Sequence, residues 1–138
     1  MIKSVGLILL FLSSVATGIY IANKKRAELA LHNSNFKMLT EIKNTLRFNQ
    51  SNKSKIYANL RQNGYGDCLD NYKNNAILKG YLDSLGTRDL YSELEAVTQC
   101  IEEYSVLLNT VKKDTEEKCK LAIGAGVLIG TFLTVILI

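Results

Sequence analysis

Two stretches of this chain, residues 5–22 and 121–138, carry no charged side chain, and between them apolar positions recur with helical period. Eighteen helical residues at ~1.5 Å each span about 27 Å, close to the hydrocarbon core of a bilayer. Val5 to Ala22 holds ten Val, Leu, Ile or Phe residues, and Leu121 to Ile138 holds eleven. At roughly −0.3 to −0.6 kcal/mol each, ten such side chains offer about −3 to −6 kcal/mol for insertion, before the costs of Ser13, Ser14 and Thr17. The pattern predicts an all-α protein: a membrane-anchored helical bundle. An N-terminal transmembrane helix lies in 1–22, a helical domain in 23–120 and a C-terminal transmembrane helix in 121–138.

Within the middle segment, residues 23–49 read as a continuation of the first apolar helix. Leu29, Phe36, Leu39, Ile42 and Leu46 form the stripe of an amphipathic helix. Asn49-Gln50-Ser51-Asn52 breaks it, and Ser51 or Ser54 can cap a short helix carrying Ile56, Tyr57 and Leu60. Asn63-Gly64-Tyr65-Gly66 reads as a turn. A third helix is expected from Asp67 to Leu85, with Gly86 just past its end, where positive φ is often needed. Thr87 then fits as N-cap of the last helix, with Asp89 in its first turn. That helix carries Leu90, Leu94, Val97, Ile101, Tyr104, Leu108 and Val111, a heptad seam with Glu93, Glu95, Glu102 and Glu103 on the other faces. Packing within its own bundle is the reading preferred over an intermolecular coiled coil. No breaker separates it from the second apolar run, so one rod is expected through the membrane surface.

Charge sets the topology. Of seventeen Lys and Arg, only Lys3 lies outside 24–120, and all thirteen acids lie between Glu28 and Glu117. The resulting middle net of +3 is too balanced for a nucleic-acid binder, which needs a clustered basic face. Lys24, Lys25 and Arg26 follow the first run, and Lys112, Lys113, Lys118 and Lys120 precede the second. Cations beside membrane ends stay in the cytoplasm, which places the middle domain inside. A cleaved signal peptide is the competing reading, with Lys3 as its n-region and Ser14 and Ala16 before the cut. The apolar run continues past Ala16 to Tyr20 and Ile21 and into a basic stop, which suits an anchor better. In the second run Ala122, Gly126, Gly130 and Thr134 recur every four residues, and Gly126 to Gly130 is a GxxxG match. Such a small face lets helices approach closely in lipid; it is expected to meet either Ser14 and Gly18 of the first run or a partner.

Composition adds little chemistry. There is no proline, which favours long helices. Cys68, Cys100 and Cys119 form no CxxC pair and are read as reduced thiols rather than a disulfide framework or zinc site. His32 stands among asparagines and reads as solvated. Adjacent acids such as Glu116 and Glu117 point about 100° apart on a helix and read as a solvated face. Gly64-Tyr65-Gly66 lacks the third glycine and preceding strand of a nucleotide loop. The Asn-x-Ser matches at Asn49 and Asn52 mean little in a cytoplasmic segment. No metal, cofactor or catalytic constellation is expected, and no enzymatic activity.

Three local patterns carry a family resemblance. Gly126-Val127-Leu128-Ile129-Gly130 is followed by an apolar tail; Leu85-Gly86-Thr87-Arg88-Asp89 looks like a Leu-Gly-x-x-Asp turn; and Glu41-Ile42 follows the first apolar run. In these features, and in its basic stretch after the N-terminal anchor, the chain resembles the stage III sporulation protein AB family of endospore-forming bacteria. Glu93 stands where that family usually has glutamine, residues 50–75 depart from it, and the chain is shorter than typical members. The resemblance implies a soluble domain like the cytoplasmic F-type domains of type II secretion and type IV pilus platforms. It implies an adaptor in the mother-cell membrane facing the forespore. The partners implied are the sporulation ATPase, stage III sporulation protein AA, and other membrane subunits of the channel; a homo-oligomer is left open. The alternative is a small membrane accessory protein of another envelope or pilus assembly; a third reading is a secreted helical domain retained by its tail.

Overall fold

The computed structural model describes residues 2–48 and 52–138. Its elements are α1 (Ile2–Phe48), α2 (Lys53–Gln62), α3 (Gly66–Asn71), a 3₁₀ turn (Tyr72–Asn74), α4 (Ala76–Leu82) and α5 (Leu90–Leu137). No strand occurs among the described residues. The chain divides into two compact units, each built partly from α1 and partly from α5. One comprises the residues up to Leu29 with Thr110–Ile138, and the other is Ala30–Asn109.

In the Ala30–Asn109 unit, α1 supplies Met38, Leu39, Ile42 and Leu46, all buried. These fall at helical spacing, so one stripe faces inward. Ile56 and Leu60 of α2, Leu69 of α3, Leu78 and Leu82 of α4, and Leu85 close over that stripe. Each fully buried aliphatic side chain contributes roughly 1.5–3 kcal/mol. The α2 N-cap is Asn52, whose side chain accepts from Lys55 N at 3.0 Å, in place of the expected Ser54. Ser54 lies inside the first turn, and Ser51, like Asn49 and Gln50 of the expected break, lies outside the described residues.

The single helix expected over 67–85 is broken. Asn75 adopts an extended conformation (φ −117°, ψ 119°), and its side chain accepts from Ile77 N at 3.0 Å and Leu78 N at 3.3 Å. The asparagine competes with the helix for backbone N–H groups and starts a new one, α4. Leu82 then ends α4 three residues before the expected end at Leu85.

α5 also begins later than the Thr87 cap implies. Thr87 Oγ1 instead donates to Ser84 O at 2.6 Å, and the helix starts at Leu90. Asp89 is therefore not in the first turn. It precedes the helix and accepts from Ser92 N at 3.4 Å, and such bonds hold its carboxyl below the usual carboxylate range.

The buried face of α5 is rotated from the leucine seam. Val97 and Tyr104 are buried, as are Glu93 and Cys100; Leu90, Leu94 and Ile101 are half-buried and pack against the edge of that core, and Leu108 is half-buried, as is Val111 in the other unit. Tyr104, wholly buried, lies with its hydroxyl 2.7 Å from His32 Nδ1 and accepts from Asn35 Nδ2 at 3.0 Å. Burial pushes its phenol up, so the hydroxyl keeps its proton. His32 is thus a partner of a core tyrosine, not a solvated side chain. Asn35 is in register with Leu39 and Ile42 on the inward stripe, which is why an amide so polar is buried.

Tyr104→Phe leaves the buried Asn35 amide unpaired and is expected to cost about 1–3 kcal/mol. Thermal unfolding of the detergent-solubilised chain measures it; a melting temperature equal to wild type would show that the hydroxyl contributes nothing.

Candidate functional site

The unit formed by the two apolar runs is a helix pair held at backbone distance. A Cβ built on Gly18 would lie 2.6 Å from Ala122 O, and one on Gly126 would lie 2.9 Å from Ser14 O. No side chain fits there, so each glycine admits the facing main chain directly. Ser14 Oγ donates to Gly126 O at 2.7 Å across the pair. Cys119 Sγ donates to Ala22 O at 3.4 Å in a buried position. Gly130 meets a softer neighbour: its built Cβ would lie 2.7 Å from Cδ2 of the Phe11 ring, a side chain that can move. Ala122, Gly126 and Gly130 therefore form the seam with Ser14, Gly18 and Phe11. Thr134 is half-buried, and its hydroxyl turns back to Gly130 O of its own helix at 2.8 Å.

Away from that seam the helices are apolar and uncovered. Each contains an eighteen-residue window long and apolar enough to cross a membrane, and only 11% of each window is buried. The core helix of a soluble protein would be mostly covered. Leu128 and Phe132 are 71% and 66% exposed, and Tyr20 is 71% exposed. Contiguous apolar surface on this scale exceeds what a soluble monomer normally shows water.

The basic residues flank these runs within the same unit. Lys25 pairs with Glu28 at 3.2 Å and Lys118 with Asp114 at 2.9 Å, each within its own helix. Lys24, Arg26 and Lys120 are exposed and make no ion pair among the described residues.

In the bundle unit, the Leu85-Gly86-Asp89 turn is latched by a residue expected on the solvated side. Gly86 has φ +86°, open to glycine and strained for other residues. Its N–H donates to Glu93 Oε1 at 2.9 Å, and Arg88 N–H donates to the same oxygen at 3.3 Å. Glu93 is 2% exposed, so it belongs to the interior face of α5. The first-turn glutamate reaches back to loop N–H groups, the logic of a capping box. Among the described residues its Oε2 has no hydrogen-bond partner, nor does the nearby Tyr81 hydroxyl, whose acidity is suppressed by burial and by the Glu93 charge. Beside the turn lies a groove of about 610 Å³ bordered by Lys53, Asp83, Arg88 and Glu93.

The remaining reactive groups are scattered. All three cysteines are free and buried, and burial pushes the Cys100 thiol up to about 12, which keeps it protonated. Tyr72 is likewise raised to about 12, because its hydroxyl donates to Asp83 Oδ1 at 2.7 Å. No cluster of three or more His, Cys, Asp or Glu suited to a metal ion occurs among the described residues. The candidate functional surfaces are therefore the helix seam and the uncovered apolar faces. No protein-family model, curated protein or solved structure matches the chain.

Glycine substitutions should separate the two kinds of contact in the helix seam. Gly126→Ala and Gly18→Ala push a methyl into main-chain atoms and are expected to lower the melting temperature in mild detergent, in line with overpacking costs of about 1–3 kcal/mol. Gly124→Ala meets open space and should be neutral or slightly stabilising. Equal effects at Gly124 and Gly126 would mean that close approach is not what holds the pair.

Proposed function

We propose that the chain is an integral membrane protein whose two apolar helical segments form a transmembrane hairpin, with the Ala30–Asn109 bundle in the cytoplasm. On this reading it is a non-enzymatic platform subunit of a secretion-like sporulation channel between mother cell and forespore. Its bundle docks the cytoplasmic ATPase, stage III sporulation protein AA, and its hairpin joins the other membrane subunits.

The observation that carries the membrane reading is the seam of Gly18, Ala122, Gly126 and Ser14, combined with the exposure around it. Water would drive uncovered leucines together; lipid leaves them where they are and rewards backbone proximity between small residues. The same seam favours an anchor over a cleaved leader, because Ser14 and Gly18 hold the C-terminal helix by main-chain contacts. Exposed Lys24, Arg26 and Lys120 support the cytoplasmic side for the bundle. The adaptor role draws on the resemblance to the sporulation family, at the Leu85-Gly86-Asp89 turn and the Gly126–Gly130 tail. The Glu93 latch makes sense of the departure there, since glutamine also offers an oxygen to the two loop N–H groups.

Membranes washed at alkaline pH without detergent should retain the protein in the pellet; release into the supernatant refutes the hairpin. In an endospore-forming host that carries the gene, deletion should arrest sporulation after engulfment, and the tagged protein should co-purify with the ATPase. Normal spore yield together with no ATPase recovery would reject the adaptor role while leaving the membrane assignment intact.

A further inference from the structure

The two apolar runs contain five serine and threonine hydroxyls, and four of them have acceptors. Ser14 reaches across to Gly126 O, while Thr17, Thr131 and Thr134 bond carbonyls of their own helix. The fifth, Ser13, makes no hydrogen bond among the described residues. It stands at the middle of the 5–22 run, where lipid supplies neither donor nor acceptor. Nine residues, about two and a half helical turns, separate it from Ala22, which is buried beside Cys119 of α5. Ser13 therefore faces directly away from α5. The same outward face holds Gly6 and Leu9 on one side of it and Thr17 on the other, all exposed. Over Gly6 lies a hollow of about 360 Å³, bordered by Ile2, Val5 and Leu9 and walled by apolar atoms. A Cβ built on Gly6 meets nothing within 4 Å. The outer face of α5 has the opposite character, with Leu121, Leu128, Phe132 and Val135 projecting from it.

We propose that this outward face of α1 pairs with the same face of a second copy of the chain inside the membrane, the Ser13 hydroxyls bonding across the pair and a side chain of each copy seating in the Gly6 hollow of the other. A twofold axis along the membrane normal keeps equivalent residues at equal depth, so Ser13 meets Ser13. A hydroxyl both donates and accepts, so one surface supplies both halves of the bond. With the helices crossing between Gly6 and Ser13, Leu9 of each copy stands at the depth of the other's hollow. Small residues at 6, 13 and 17 let the two backbones approach, the condition under which packing stabilises association in lipid. Lys24 lies on the same face, eleven residues and about 16 Å from Ser13. A crossing angle of about 40° splays the helices there and keeps the two ammonium groups apart. An acyl chain fills the hollow equally well but offers Ser13 no partner, which favours a protein helix. The inference rests on the transmembrane hairpin and not on the adaptor role.

The test follows energy transfer between donor- and acceptor-labelled copies of the full chain in phosphatidylcholine vesicles, as added lipid dilutes the protein. Wild type should show transfer above the random level, falling on dilution with a measurable dissociation constant. Gly6→Leu fills the hollow at a position that touches nothing in the hairpin, and should weaken self-association at least about tenfold. Ser13→Ala should weaken it about threefold, the scale of one hydrogen bond within a membrane. Leu128→Ala, on the outer face of α5, should leave it unchanged, and circular dichroism should be the same for all four proteins. Transfer at the random level for wild type, an affinity unmoved by Gly6→Leu, or an equal loss with Leu128→Ala overturns the proposal. A chain that stays in alkaline-washed membranes yet is monomeric loses this interface and keeps the hairpin, so the two failures register separately.

Discussion

Everything in this protein depends on α1 lying against α5. The two contacts that hold them use opposite physics. Between the apolar runs, glycine removes side chains so that main chains touch, and one serine hydroxyl crosses to a carbonyl. Within the bundle, a large aromatic side chain fills the space and its hydroxyl is held by His32 and Asn35. The first arrangement suits lipid, where dispersion and hydrogen bonding decide association. The second suits water, where the burial of leucine, methionine and tyrosine drives association and polar groups specify its geometry.

That division explains why the helix pair needs so little specific chemistry elsewhere. α2, α3 and α4 are short, and none would be stable alone. They persist because Ile56, Leu60, Leu69, Leu78 and Leu82 cover the stripe that α1 presents. Asparagine caps at positions 52 and 75 and a glycine at 86 punctuate the connections. The carboxylate of Glu93 closes the last of them by binding two N–H groups that the turn would otherwise leave unmatched.

The long elements were legible in the sequence because hydrophobic period survives over many turns. Two uncharged runs and the Leu39–Ile42–Leu46 stripe are averages that no single residue can spoil. What failed was local. A continuous helix over 67–85 looked reasonable from Leu69, Tyr72, Leu78 and Leu82, yet Asn75 could satisfy two backbone donors itself. Glu93 and His32 were misread for a common reason: a charged or polar side chain on an amphipathic helix defaults to solvent unless a buried partner is known. Their partners, the Gly86 and Arg88 amides and the Tyr104 hydroxyl, are brought near only by tertiary structure. Asn35 carried a usable signal, since it sits in phase with the inward leucines.

The burial of all three thiols has a bearing on how such a chain can be studied in cells. Cys68 and Cys100 lie in the bundle interior, and Cys119 is turned toward the Ala22 carbonyl. Impermeant maleimides would find none of them, whichever compartment they occupied. Silence from the native sulfurs therefore carries no topological information. It also means that a single cysteine introduced at exposed Gln99 would report its compartment against a dark background, without first stripping the protein of its own.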